Sequence, residues 1–343
     1  MSIDFRSDTL TSPDERMRKA MSEAVVGDDV FMEDPTIKLV EGKVAQLTGK
    51  AGALFVPSGT MGNLIAAVVH SEGLYSEIMI GDKSHTALYE VGGTSIVARS
   101  FVRQLPNNAD GTISLDVISR SVQGVNVHYT TTRALFLENT HNALGGKVLP
   151  LEYLLKVREL CDQHKIALHC DGARVWNAAT ALGVAPKVLL DPFDTASVCL
   201  SKALGAPVGS VVVGSIAFID KARRARKMLG GGLRQAGILA AAGLFALDHM
   251  YERLREDHAM AATFAKQLTA LGLSVVEPQS NIVLFTVGDA VKRTVFLEKC
   301  AQRGLKLIGM GVDYVRAIPH YGNTDQDVTD AVKIIGDILA SGI

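Results

Sequence analysis

Asp171 and Lys202 each follow closely on a short apolar run. Ile166-Ala167-Leu168 leads into His169-Cys170-Asp171-Gly172-Ala173-Arg174, and Val198-Cys199-Leu200 leads into Ser201-Lys202. Such runs read as buried parallel strands, and ligands of open α/β sheets collect just past the carboxyl ends of those strands. A carboxylate and an amine delivered to one edge suit a pyridoxal phosphate site, in which the lysine forms the Schiff base and the aspartate keeps the pyridine nitrogen protonated. Each residue alone has a commoner explanation, a solvated loop lysine or a helix-capping aspartate. The pair therefore needs support from the rest of the chain.

Several other stretches supply it. Ala53-Leu54-Phe55-Val56 runs into Pro57-Ser58-Gly59-Thr60-Met61-Gly62-Asn63 and then into an apolar helix-like run. A strand that meets a helix through small residues offers backbone N–H groups, and the Ser58 and Thr60 hydroxyls, to a phosphate. It is not a Walker loop, because Ala51 follows Gly49-Lys50, and no G-x-G-x-x-G is present. His85 follows the strand-like Ile78-Met79-Ile80 and reads either as a polar loop residue or as a ring stacked on a flat cofactor. His128 precedes the strand Ala134-Leu135-Phe136-Leu137, which ends in the polar cluster Glu138-Asn139-Thr140-His141-Asn142. After Gly230-Gly231-Gly232, Arg234 is an anion ligand that the glycines let approach a site. Arg316 and His320 stand near the end of a late strand. His70-Ser71-Glu72 matches the H-x-E of zinc deaminases, but no P-C-x-x-C accompanies it, and no His/Cys cluster has metal-ligand spacing.

The elements that must position these groups alternate strand and helix, which argues for a mostly parallel sheet covered on both faces. Ser12-Pro13-Asp14-Glu15 predicts a capped helix through about Ala24, Ile37, Val40, Val44 and Leu47 a second. A long helical region is expected from Ala236 to about Leu271, and the remaining tail reads as a smaller α+β domain. The division expected is 1–245 for a large cofactor-binding domain and 246–343 for a small C-terminal one.

With 343 residues, 48% hydrophobic and 21% charged, the chain is long enough for a large core. A net charge of −1 argues against a general polyanion binder and for a small ligand. The basic run Lys221 to Lys227 reads as a solvated helix face rather than a nucleic-acid surface. Cys161, Cys170, Cys199 and Cys300 form no C-x-x-C pair and are expected to be reduced core thiols. With no signal-peptide pattern and no membrane-length apolar run, a cytoplasmic protein is expected, with no membrane partner.

Taken in order, Arg6-Ser7-Asp8-Thr9, Val26-Gly27-Asp28-Asp29, Pro57-Ser58-Gly59-Thr60, Glu138-Asn139-Thr140-His141-Asn142, Asp171-Gly172-Ala173-Arg174, Leu200-Ser201-Lys202, Ala206-Pro207-Val208-Gly209-Ser210 and Gly230-Gly231-Gly232-Leu233-Arg234-Gln235 resemble the L-threonine aldolase family. The resemblance implies the aspartate-aminotransferase-like fold of type I pyridoxal phosphate enzymes, a homotetramer built as a dimer of dimers with shared sites, and cleavage of L-threonine or L-allo-threonine to glycine and acetaldehyde. It makes Lys202 the Schiff-base lysine, Asp171 the partner of the ring nitrogen and His85 the stacking residue. Ser58, Gly59 and Thr60 would hold the phosphate, with Arg234 reaching the phosphate of the neighbouring subunit. Ser7, Arg174 and Arg316 would fix the substrate carboxylate, Arg174 also counting among the cofactor's neighbours, and His128 would lie near the β-hydroxyl. His128, His85 or a water is then the base. Phe31-Met32 stands where the family more often has Tyr-Gly, and Ala203 where it commonly has Gly. The rival readings are a β-eliminating lyase, a serine hydroxymethyltransferase-like enzyme or an aminotransferase on the same fold. A non-catalytic pyridoxal phosphate or nucleic-acid binding protein is the remote alternative.

Overall fold

A computed structural model describes residues 2–71 and 73–342, so Glu72 of the His70-Ser71-Glu72 triplet lies outside the described residues. Seven strands form the central sheet: β1 Gly52–Val56, β2 Ser76–Gly81, β3 Phe101–Leu105, β4 Thr131–Glu138, β5 Ala167–Gly172, β6 Thr195–Cys199 and β7 Ser210–Gly214. Their spatial order is β1-β7-β6-β5-β4-β2-β3. Only β7 runs antiparallel to its neighbours; β6, β5, β4, β2 and β3 are parallel in sequence across the sheet. The chain thus begins at one edge, crosses to the other, and walks back, which brings the exits of β4, β5 and β6 side by side.

The apolar runs of these strands are two-faced. Leu54, Val56, Ile78, Ile80, Ala134 and Phe136 pack on one side with Ile65 and Ala66 of helix α1 (Gly59–His70) and Ala222. Phe55, Met79, Leu135, Leu137, Leu168 and Cys170 pack on the other with Val40, Val44, Ala179 and Ala240. Period-two alternation inside an uninterrupted apolar run is what a sheet buried on both faces requires, and each such large side chain contributes on the order of 1.5–3 kcal/mol by its burial. All four cysteines are free and buried.

The tail forms a four-stranded antiparallel sheet from β8 Ser274–Val276, β9 Val283–Thr286, β10 Ile308–Met310 and β11 Tyr314–Ala317, in the order β10-β11-β9-β8. Its core also takes in Ile3 and Phe5 from the start of the chain, the Phe5 ring lying 5.3 Å from that of Phe264. Ile3–Asp4 pairs in parallel with Leu305–Lys306, so residues 6–11 are drawn across the junction between the two cores.

Two expected helices are corrected. The first begins at Glu15 rather than at Ser12, because Asp14 is the N-cap and accepts from Met17 N at 2.7 Å. The long helical region is two helices, Gly237–His249 and Leu254–Ala270; at the break Arg253 turns to Asp257, 2.8 Å away, and over the Tyr321 ring. No helix among the described residues is long and apolar enough to cross a membrane.

Candidate active site

Asp171 sits near the carboxyl end of β5, in register with Glu138 on β4 and Ser197 on β6. Lys202 lies three residues beyond β6 in a tight loop, where its carbonyl accepts from Thr11 Oγ1 and from Gly205 N, each at 2.8 Å. Gly205 has φ +82°, and a Cβ there would lie 2.8 Å from the Tyr321 ring, so the turn that presents the lysine requires glycine. Lys202 lines a cavity of about 340 Å³ with Ser7, Thr9, His85, Tyr89, Asn142, Arg174, Arg316 and residues 308–311.

Glu138 ties two of the cavity's residues together. Its Oε2 accepts from His85 N at 2.7 Å and its Oε1 from Asn142 N at 2.8 Å. Glu90 accepts from His85 Nδ1 at 2.9 Å. Burial alone would lower the His85 pKa, but the Glu90 bond and the carboxylates of Asp171 and Glu138 raise it. Asp171 accepts from Asn63 Nδ2 at 2.9 Å and from Ala173 N at 3.2 Å. Burial first, then Glu138 and Glu90, push its carboxyl up to about 6. Three buried carboxylates facing one half-buried histidine are a set short of positive charge, and a protonated pyridine nitrogen against Asp171 answers that shortage. The residues fit pyridoxal phosphate on this ground.

At the start of α1, Ser58 Oγ accepts from Met61 N at 3.2 Å, which leaves its O–H and the first-turn N–H groups of Gly59 and Thr60 for an anion. On the substrate side, Asp8 takes Arg174 Nε at 2.8 Å and Nη2 at 2.7 Å. Arg174 Nη1 makes a longer 3.4 Å contact with Asn142 Oδ1, which also accepts from Arg316 Nη1 at 2.7 Å. Arg316 Nη2 donates to Arg6 O at 3.0 Å, while its Nε is buried without a hydrogen-bond partner. Burial and neighbouring Arg174 lower Arg316 to about 10. Two guanidinium groups held side by side by one amide oxygen suit a carboxylate. Ser7 Oγ accepts from Thr9 N at 3.2 Å beside them.

Of the residues singled out from sequence, Ser7, His85, Asp171, Arg174, Lys202 and Arg316 come together. His128 does not join them in this chain. It is exposed, donates its backbone N–H to Asn126 Oδ1, and precedes β4 at the amino-terminal end of the sheet; the eight residues of that strand separate it from the site by roughly 25 Å. Arg234 is likewise exposed, 3.7 Å from Asp28, and does not line the cavity. Met32, at the family's usual Gly position, has φ +58° and is exposed. Asp8, Asn63 and Glu90 were not assigned site roles from sequence; Glu138 and Asn142 belong to the polar cluster at the exit of β4, a crowding that suggests a site wall.

An aspartate and a lysine at adjacent parallel strand ends, with a helix N-terminus beside them and paired arginines across the cavity, define a pyridoxal-phosphate-dependent enzyme of the aspartate-aminotransferase-like fold. The fold is shared with threonine aldolase from Leishmania major (TM-score 0.83, 17% identity, covering 97% of this chain and 98% of that one). It is also shared with a lysine-to-alanine variant of serine palmitoyltransferase from S. paucimobilis with bound PLP–myriocin aldimine (TM-score 0.77, 16% identity, covering 98% of this chain and 87% of that one). The family model of beta-eliminating lyases matches residues 4–290. A probable low-specificity L-threonine aldolase of Arabidopsis thaliana is 43% identical over 99% of this chain and 98% of its own length. The chain belongs to the beta-eliminating lyase family, in its L-threonine aldolase branch.

Proposed function

We propose that the cavity carries out retro-aldol cleavage of L-threonine, L-allo-threonine and related β-hydroxy-α-amino acids to glycine and an aldehyde, acetaldehyde in the case of threonine. The observation that carries this reading is the convergence of Lys202 and His85 with Arg174, Asn142 and Arg316 in one cavity, with Asp171 buried close enough to His85 and Lys202 for both charges to act on its carboxyl. Pyridoxal phosphate supplies the electron sink for the pair left on Cα when the Cα–Cβ bond breaks. Lys202 would hold the cofactor through its side-chain amine. Asp171 would favour the cationic form of the ring nitrogen. Ser58, Gly59 and Thr60 would bind the phosphate, and His85 would cover the ring.

Arg174, Arg316 and Ser7 would clamp the substrate carboxylate and so fix the orientation of the groups on Cα. His85 donates Nδ1–H to Glu90, and its raised pKa favours the cation, so it serves better as a donor toward the β-oxygen than as a base. The β-hydroxyl proton then goes to a water, or to His128 where another subunit brings that residue to the cavity. The exposure of Arg234 and His128 supports a homotetramer with sites shared between subunits, Arg234 serving a neighbour's phosphate. Four buried free thiols support a cytoplasmic setting. The two domains divide near the helix break at 250–253 rather than at the expected 245/246, because Ala246, Leu247 and Met250 pack in the large core, and the opening strand is lent to the second.

Product analysis tests the reaction. Equimolar glycine and acetaldehyde from L-threonine, with none from D-threonine, is the expected result. Ammonia and 2-oxobutyrate instead would assign the site to elimination.

A further inference from the structure

Behind Asp171 lies a chain of polar side chains that the reaction does not use. His169, two residues earlier on the same strand and wholly buried, faces the same side as Asp171. Its Nδ1 is 2.8 Å from Thr195 Oγ1 on β6, and its Nε2 is 3.3 Å from Asn63 Oδ1. Thr195 Oγ1 is also 2.9 Å from His70 Nε2. Asn63 and His70 both come from α1, seven residues apart and so on one face of it. The His70 ring stacks on Phe218 at 5.2 Å, beside a surface cavity lined by Arg158, Asp162 and Asp194.

The direction of every hydrogen bond in this chain follows from its inner end. Asn63 Nδ2 lies 2.9 Å from Asp171 Oδ2 and 2.8 Å from Glu90 Oε1, so both amide hydrogens are donated to carboxylates and Oδ1 can only accept. The opposite amide orientation would set an oxygen against two carboxylates. His169 must therefore carry its hydrogen on Nε2, and burial keeps the ring neutral, so Nδ1 accepts from the Thr195 hydroxyl. With its hydrogen used there, Thr195 Oγ1 accepts from His70 Nε2–H; burial lowers His70 to about 4, so this ring too is neutral near pH 7. All four bonds point from the far end of the sheet toward Asp171, an arrangement in which each bond polarises the next.

We propose that His70, Thr195, His169 and Asn63 form a one-directional hydrogen-bond relay that orients Asp171 and holds it anionic for a protonated pyridine nitrogen. The inference rests on the reading that Asp171 faces that nitrogen. Asn63, His169 and Thr195 are positioning residues, and none of them reaches the reacting atoms. Glu90 ties the same relay to His85, because its Oε1 accepts from both Asn63 Nδ2 and His85 Nδ1.

Thr195→Val keeps the side-chain volume and removes the hydroxyl, Thr195→Ser restores it, and His70→Phe keeps the stacked ring while removing the outermost donor. For each variant and for Asp171→Asn, pyridoxal phosphate is titrated into the apo protein, the dissociation constant and the visible spectrum of the lysine-linked cofactor are recorded, and folding is checked by thermal melting. The relay predicts binding weaker by about fivefold in Thr195→Val, with a changed ratio of the visible bands. Thr195→Ser should return both readouts to wild type, and His70→Phe should move them in the same direction by less. Wild-type affinity and spectrum in folded Thr195→Val and His70→Phe, alongside a large change in Asp171→Asn, would overturn the relay and leave the site reading intact. No change in Asp171→Asn either would overturn the site reading itself.

Discussion

Asp8 grips Arg174 with both carboxylate oxygens, at 2.8 and 2.7 Å, across 166 residues of sequence. Both side chains are buried, and Asn281 Nδ2 adds a third bond to Asp8 at 3.2 Å. The opening segment is thereby fastened to the helix that follows Asp171, and the Arg174 guanidinium keeps one nitrogen turned toward Asn142 and the substrate side. Removing one partner of such a pair leaves a buried charge uncompensated.

Asp8→Ala should lower the unfolding free energy by about 3–5 kcal/mol. The sign with pH follows from the shift. Burial alone would raise the Asp8 carboxyl, but Arg174, with Lys202 and Asn281, holds it well below the ordinary carboxylate range. A depressed folded pKa contributes stability that is present above the unfolded value of about 3.9 and is lost as pH falls below it. Denaturant titrations of wild type and Asp8→Ala should therefore differ fully at pH 7 and converge in acid; an unchanged gap at low pH would remove the ion pair as the cause.

Asn142→Ala separates Arg174 from Arg316 without touching the lysine or the ring partner. With one amide oxygen no longer holding the two guanidinium groups together, KM for L-threonine should rise by about tenfold or more, with a smaller change in kcat. Steady-state kinetics decide it, and an unchanged KM would take Arg174 and Arg316 out of carboxylate binding.

Asp171 behaves in the opposite sense to Asp8. Its folded pKa is raised to about 6 by burial, Glu138 and Glu90, so its contribution is present below about pH 4 and is lost as pH rises through 6. In the apo protein Asp171→Asn should therefore be the more stable form at pH 8, by up to about 3 kcal/mol, with the two forms alike near pH 4. Adding pyridoxal phosphate should reverse the order at pH 8, since the wild-type carboxylate then meets a cation. Asp171→Asn that melts below wild type without cofactor at pH 8 would refute the charge argument.

Sites shared between subunits make a further prediction. Arg234→Ala and Lys202→Ala should each be nearly inactive alone, while co-refolded mixtures should regain up to about a quarter of wild-type turnover, because one site in a mixed dimer then carries neither defect. Mixtures as inactive as their parents would confine Arg234 to its own chain.

Much of this site was legible from sequence because its residues end strands. Asp171, Lys202 and His85 each follow an apolar run, and a parallel sheet delivers the exits of its strands to one edge. Arg174 and Arg316 were found through family motifs, since nothing local in either stretch indicates that they meet over Asn142. His128 shows the limit of that transfer: it precedes β4 at the end remote from the cavity, and only assembly could bring it to a site. Asn63, Glu90 and Asp8 escaped because their parts are defined by partners far along the chain. An asparagine in the first turns of an apolar helix reads as packing until Asp171 is seen 2.9 Å from its amide. The split between His249 and Leu254 was invisible for a similar reason, since no Gly or Pro marks it and its contacts are with Asp257 and Tyr321.

The central claim is that Lys202 carries the cofactor at a site completed by Asp171. Borohydride reduction of the pyridoxal-phosphate-loaded protein, followed by mass mapping of its peptides, tests it most directly. The account predicts one pyridoxyl adduct, on the peptide containing Lys202, and none in Lys202→Ala. An adduct of equal yield on another lysine, or one that persists in Lys202→Ala, would contradict it.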